Sequence, residues 1–154
     1  MEQTLIILKP SAVERGLIGE IIGRFERKGL FFSGLKMMQL SDAILEDHYA
    51  HLKEKPFFKF VKSSMQASPV IVGCLEGKEA VQVVRNMCGP TNCREAQPGT
   101  IRGDFGMSIG QNIIHTSDSK ESAIKEVNRF FKSEELFNYK PANVRFYYED
   151  DELD

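Results

Sequence analysis

The stretch Asn112-Ile-Ile-His115-Thr-Ser117-Asp118 sets one histidine between an amide three residues upstream and a hydroxyl two residues downstream. A neutral imidazole is a competent nucleophile, and a reliable one when a carboxylate or carbonyl holds its second nitrogen. A lone histidine is more often a satisfied structural residue, but the neighbours of His115 argue for chemistry. A helix start, which favours anions, follows it, and a long irregular loop precedes it. Lys9 at a strand end, Arg85 near a helix C-terminus and Arg102 in the loop are, singly, solvated cations or, for Arg85, a partner of the helix dipole. Brought together, they would supply the positive clamp for the charge that phosphoryl transfer spreads over its oxygens.

Other residue patterns carry less. No G-x-x-x-x-G-K-[ST] is present, and Gly16, Gly19 and Gly23 fall in or beside an amphipathic helix, the wrong setting for a dinucleotide fingerprint. Side chains, not a backbone cradle, would have to hold phosphates. His48 and His51 form H-x-x-H, half a metal site at best; His48 lies in an apolar stripe, which favours a structural role. Tyr49 and Phe57 read equally as core residues, although an exposed Phe57 could stack on a base, since every base has a π-face.

The elements that must position these groups follow from periodicity. Thr4 to Leu8 is an apolar run that predicts a strand buried on both faces, ended by Lys9-Pro10. Leu17, Ile18, Ile21, Ile22 and Phe25 predict an amphipathic helix stopped by Gly29. A strand follows over Phe31–Leu40, then a helix capped by Asp42 and further helix as far as Gln66, a strand over Val70–Leu75, and a helix over Gly77–Met87. Residues 89 to 110 show no period, Asn112-Ile-Ile reads as a short strand, and Asp118 with Glu121 reads as the capping box of a last helix. Without a regular βα repeat, these elements predict an α+β sandwich with helices packed on one main sheet.

Composition sets the frame. At 154 residues, with 42% hydrophobic and 27% charged residues, the chain is expected to be one domain over 1–154, needing neither disulfides nor a structural metal. Three cysteines without a C-x-x-C fit free thiols. The net charge of −2 hides five acids in the tail EDDELD, residues 149–154, so the body is mildly basic. That is too weak for duplex DNA and adequate for a local phosphate pocket. The N-terminus has neither a signal peptide nor a membrane span, so a cytoplasmic protein is expected.

The stretch Asn112 to Glu121 resembles the active-site signature of the nucleoside diphosphate kinase family. The resemblance runs through most of the chain, in order: Thr4-Leu-Ile-Ile-Leu-Lys9-Pro10, Arg15-Gly-Leu-Ile-Gly-Glu-Ile, His48-Tyr49, Lys55-Pro56-Phe57-Phe58 and Pro98-Gly-Thr-Ile-Arg102-Gly-Asp-Phe. It implies a ferredoxin-like βαββαβ core with a four-stranded antiparallel sheet and added helices. It also implies a ping-pong exchange, in which the γ-phosphate of a nucleoside triphosphate such as ATP passes to the histidine and then to a nucleoside diphosphate. By matching position, His115 would be phosphorylated, with Glu126 and Ser117 orienting it. Lys9, Tyr49, Arg85, Thr91 and Arg102 would surround the phosphates, and Lys9 and Asn112 would reach the ribose 3′-hydroxyl. Phe57, Val61 and Ile109 would hold the base without reading its identity. Mg²⁺ would come bound to the nucleotide phosphates, with no direct protein ligands. The implied assembly is a homo-oligomer, a hexamer in preference to a tetramer because the chain continues past Phe137.

Three departures stand out. Ser11 replaces an acid that often follows Lys-Pro, and Cys93 and Pro90 replace a common Pro and Glu in the loop. Thr116 stands where glycine is commonest, and a β-branched residue fits there only at negative φ. Two other classes compete with an active kinase. A regulatory nucleotide-binding protein of the same fold would be expected to have lost the nucleophile or the clamp, and both are retained. A nucleic-acid binder on the same sheet would need an aromatic strand motif and a strongly basic face, and both are missing.

Overall fold

The computed structural model describes residues 1–153; the last acid of the tail, Asp154, lies outside the described residues. Along the chain run β1 (Glu2–Leu8), α1 (Pro10–Glu14), α2 (Ile18–Lys28), β2 (Phe31–Met38), α3 (Asp42–His48), α4 (Phe58–Met65), β3 (Val70–Gly77), α5 (Ala80–Cys88), α6 (Ile101–Phe105), β4 (Ile114–Thr116) and α7 (Lys120–Phe130). The strands form one sheet in the order β2-β3-β1-β4, with every neighbouring pair antiparallel. This is the α+β sandwich the periodicity predicts, in the ferredoxin-like form the family resemblance implies.

The alternation of β1 organises two cores. Ile6 and Leu8 pack with Ile21 and Phe25 of α2 and Val84 of α5 on one face. Leu5 and Ile7 pack with Leu45 of α3, Met65 of α4, and Val127 and Phe130 of α7 on the other. A strand buried on both faces needs this near-continuous apolar run.

The details correct several boundaries. Gly29 ends α2 in the left-handed region at φ 98°, as its position predicts. The cap of α3 is Ser41, whose hydroxyl accepts from Ile44 N, and Asp42 is instead the first helical residue. The cap of α7 is likewise Ser119, accepting from Ser122 N, in place of Asp118. In both cases two adjacent residues could cap, and the extended backbone falls on the serine. Ile124 is an exposed residue of α7, 65% accessible, while Glu126 takes the buried stripe with Ala123, Val127 and Phe130. The strand expected at Asn112-Ile-Ile lies two residues later, and residues 89 to 110 contain the short helix α6, capped by Thr100 on Gly103 N.

Candidate active site

His115 is the middle residue of β4 and pairs with Ile7 of β1. The pleat therefore turns its side chain to the face covered by α7, where Glu126 occupies a buried position. His115 Nε2 donates to Glu126 Oε2 at 2.5 Å. A carboxylate can only accept, so this bond fixes the proton on Nε2 and leaves the Nδ1 lone pair available. The His115 side chain is 22% exposed, enough for a ligand to reach it, while that of Glu126 is 9% exposed.

The backbone that delivers His115 is strained. Ile114 N donates to Asn112 O at 2.8 Å across Ile113, which has φ 74°. An i to i+2 bond around a positive φ is a γ-turn of the rarer hand, and a β-branched residue there costs about 1–3 kcal/mol. Arg102 of α6 holds the turn. Its Nε donates to Asn112 O at 3.1 Å, its Nη2 to Ile114 O at 2.6 Å, and its Nη1 to Gly89 O at 2.8 Å. Lys9 N also donates to Ile113 O at 2.9 Å, tying the turn to the end of β1.

Lys9 continues the network through its side chain, with Nζ donating to Asn112 Oδ1 at 2.6 Å. Asn112 in turn donates through Nδ2 to Ile109 O at 2.8 Å. Burial, followed by the nearby Arg102 charge, pushes the Lys9 ammonium down to about 8. Burial, then Glu126, pushes the Tyr49 phenol up to about 12, so it stays a protonated donor.

Two adjoining cavities share Lys9, Tyr49, Thr91 and Asn112. The first, about 220 Å³, is also bordered by Arg85, Arg102 and His115. The second, about 550 Å³ and more apolar, is bordered by Phe60, Val61 and Ile109. The cations expected to converge thus do so around His115, across sequence separations as large as that between Lys9 and Asn112. Arg102 does so with a difference, because its first role is to hold three carbonyls. Its remaining N–H groups are what a ligand could use.

Five further residues singled out in the sequence take the following places. Ser117 Oγ accepts from Leu5 N at 3.2 Å, so it locks the exit of β4 onto β1, with no hydrogen bond to His115 or Glu126 among the described residues. Phe57 precedes α4 and is 48% exposed, yet it does not border the apolar cavity; Phe60, one turn on, does. Helical spacing makes either a candidate, and only the direction of α4 separates them. Ser11 borders a different cavity beside Glu14 and Arg15, away from His115. Thr116 lies in the extended backbone of β4, so its β-branch carries no penalty. Cys93 is 2% exposed and packs as a small apolar residue under Gly106, where any side chain would meet its sulfur.

His48, His115 and Glu126 each offer a donor atom, and these atoms lie within 4.8 Å of one another. The set does not suit a metal. Arg129 Nη1 lies 3.0 Å from His48 Nδ1, and an arginine has no lone pair, so Nδ1 accepts and Nε2 carries the proton. Neither cavity is bordered by a carboxylate among the described residues.

Comparison with known proteins agrees with this geometry. The family model described as nucleoside diphosphate kinase matches residues 2–136. A protein of Parabacteroides distasonis named nucleoside diphosphate kinase is 57% identical over 99% of this chain and 100% of its own. One of that name from Pyrococcus horikoshii is 54% identical over 95% of both. The solved structure of a halophilic nucleoside diphosphate kinase from Halobacterium salinarum, in complex with CDP, superposes with a TM-score of 0.93 at 39% identity, covering 96% of this chain and 99% of that one. With the family match over residues 2–136, these identities over nearly full length and the shared fold, the chain belongs to the nucleoside diphosphate kinase family of phosphotransferases.

Proposed function

We propose that His115 Nδ1 carries the phosphoryl group in a two-step exchange between nucleotides. The observation that carries this reading is the His115–Glu126 bond, which leaves one nitrogen nucleophilic beside a cavity bordered by Lys9, Arg85 and Arg102. In the first step the Nδ1 lone pair forms a bond to the γ-phosphorus of a nucleoside triphosphate. The bond to the β–γ bridging oxygen breaks, and its electrons leave with the nucleoside diphosphate. The ring gains positive character, which the Glu126 carboxylate stabilises through Nε2–H. In the second step a terminal oxygen of another diphosphate attacks the same phosphorus, and the electrons of the N–P bond return to Nδ1.

The cations serve as a preformed electrostatic clamp, with Tyr49 and Thr91 as hydroxyl donors along it. Lys9 and Asn112, bonded to one another where the two cavities meet, would bind a sugar hydroxyl. Val61, Ile109 and a phenylalanine of the Phe57-to-Phe60 turn offer apolar contact to the base, which tolerates any base. The donor set suits Mg²⁺ that arrives with the phosphates and takes no direct protein ligand, because no carboxylate borders either cavity among the described residues. When bound, the ion neutralises phosphate charge and orients the γ-phosphate. We further infer that residues 1–154 act as one catalytic unit, assembled as a homo-oligomer, the hexamer first, and working in the cytoplasm; among the described residues no helix is long and apolar enough to cross a membrane.

The test is incubation with γ-labelled ATP and Mg²⁺ without acceptor, an alkaline denaturing gel, and a chase with unlabelled GDP. Acid-labile label that is absent in His115→Ala and moves to GTP is the expected result. Label that persists in His115→Ala, or that cannot be chased, would overturn the reading.

A further inference from the structure

His48 closes α3 and is 9% exposed, packed between several rings. Its ring meets that of His115 edge to face, with centroids 4.6 Å apart and planes at 82°. Tyr49 and Phe130 confine it from other sides, at 4.8 and 5.2 Å. Its Nδ1 accepts from Arg129 Nη1 at 3.0 Å, and Arg129 is fixed through Nε to Asp47 Oδ2 at 2.6 Å. The proton of His48 is thereby held on Nε2, which is buried and has no partner among the described residues. A buried N–H without an acceptor is a standing cost that calls for an explanation, and a phenylalanine would fill the same space without it.

We propose that His48, locked by Arg129 as the Nε2–H tautomer, is a positioning residue that holds the His115 ring with Nε2 on Glu126 and Nδ1 presented for phosphoryl transfer. The inference rests on the reading of His115 as the phosphoryl carrier. Two features of the surroundings bear it out. The ring contact sets the plane of His115, whose only hydrogen bond among the described residues is the one to Glu126 and which could otherwise rotate about it. His48 also stays neutral beside a ring that becomes positive during transfer. Burial pushes it down to about 3, aided by the charges of His115, Arg129, His51 and Lys9. A second cation at this place would oppose the transfer.

The experiment compares wild type, His48→Phe, His48→Gln and Arg129→Met. In His48→Phe the ring is kept and both nitrogens are lost; glutamine can accept from Arg129 and still present an N–H. Single-turnover phosphoryl uptake from ATP, the KM for ATP, melting temperature and the ³¹P spectrum of the phosphoenzyme are read on each. His48→Phe is expected to lose up to about 10²-fold in the rate of uptake with KM within about two-fold, the scale of a misplaced reacting group. Part of its phosphoryl signal should shift from the Nδ1 isomer to the Nε2 isomer. His48→Gln should recover most of that rate, and Arg129→Met should resemble His48→Phe. Full-rate uptake and a single Nδ1 isomer in His48→Phe would overturn the proposal. Equal losses in phenylalanine and glutamine variants, tracking a drop in melting temperature, would reduce His48 to packing and overturn it as well. A wild type that carries label elsewhere than on His115 would instead overturn the underlying reading, a separate outcome in the same spectrum.

Discussion

The two halves of the cleft are built by opposite rules. On the side proposed to hold the phosphates, Lys9, Arg102, Asn112, His115 and Glu126 each have a fixed hydrogen-bond partner, and most are buried. On the side proposed to hold the base, Phe60 and Ile109 are 65% and 53% exposed, and their apolar side chains can make no such bonds. The difference has a physical reason. Phosphoryl transfer depends on charges placed before the reaction begins, because reorganising them during it would cost free energy. Apolar contact with a flat base needs no such accuracy, and its tolerance is what an enzyme exchanging phosphate among several nucleotides requires. The strained Ile113 marks where the first rule is applied most strictly, with Arg102 and Lys9 holding the turn in place.

If this contrast is right, damage should fall steeply from one side to the other. His115→Ala removes the nucleophile, and transfer should fall by at least about 10³-fold while ADP binding measured by calorimetry persists. Undiminished transfer would erase the contrast. Glu126→Gln keeps an acceptor for Nε2–H but loses the charge that balances the ring, so kcat should fall about 10²-fold with KM little changed. Arg102→Lys exchanges a planar fork for a point charge that cannot hold all three carbonyls, at a cost of about 2 kcal/mol in denaturant unfolding. A variant as stable as wild type would show that the γ-turn holds itself.

The pH dependence sharpens the picture further. The free Lys9 ammonium is charged below about 8 and loses its proton above it. ADP affinity should therefore be level below pH 8 and fall above it, approaching tenfold per unit, while Lys9→Arg should flatten that fall. Tyr49, held up to about 12, and His48, pushed down to about 3, contribute nothing in this window. A titration that is flat from 7 to 9.5 would remove Lys9 from the phosphate contact. The smallest effects belong to the base side: Phe57→Ala and Phe60→Ala should each raise KM by less than about tenfold without changing kcat. The larger of the two identifies the phenylalanine that meets the base.

The sequence made these regions legible to different degrees. Hydrophobic runs and stop signals located β1, α2 with Gly29, and β3, because burial on both faces and left-handed glycine leave direct traces in residue type. The caps at Ser41 and Ser119 differ by one residue from the sequence expectation because two capping side chains adjoin there and only backbone conformation chooses. β4 was displaced because an isoleucine at φ 74° runs against its own propensity, and tertiary bonds from Arg102 overrule it. The family resemblance points to Glu126, and the chain carries a signal of its own: an acid three residues after Ala123 and one before Val127, on the buried stripe of α7. The convergence of Lys9, Arg85 and Arg102, and the direction of Phe57 relative to Phe60, depend on tertiary packing and leave no trace in spacing.

The most direct test of the central claim is rapid mixing of the protein with ATP and Mg²⁺ in the absence of any diphosphate acceptor, counting the ADP released. A histidine that accepts the phosphoryl group predicts a fast burst of about one ADP per chain, and GDP added after the unreacted ATP has been removed should convert the phosphoenzyme to GTP. Release of ADP only after GDP is present would mean that phosphate passes directly between bound nucleotides, and the account built on His115 would be contradicted.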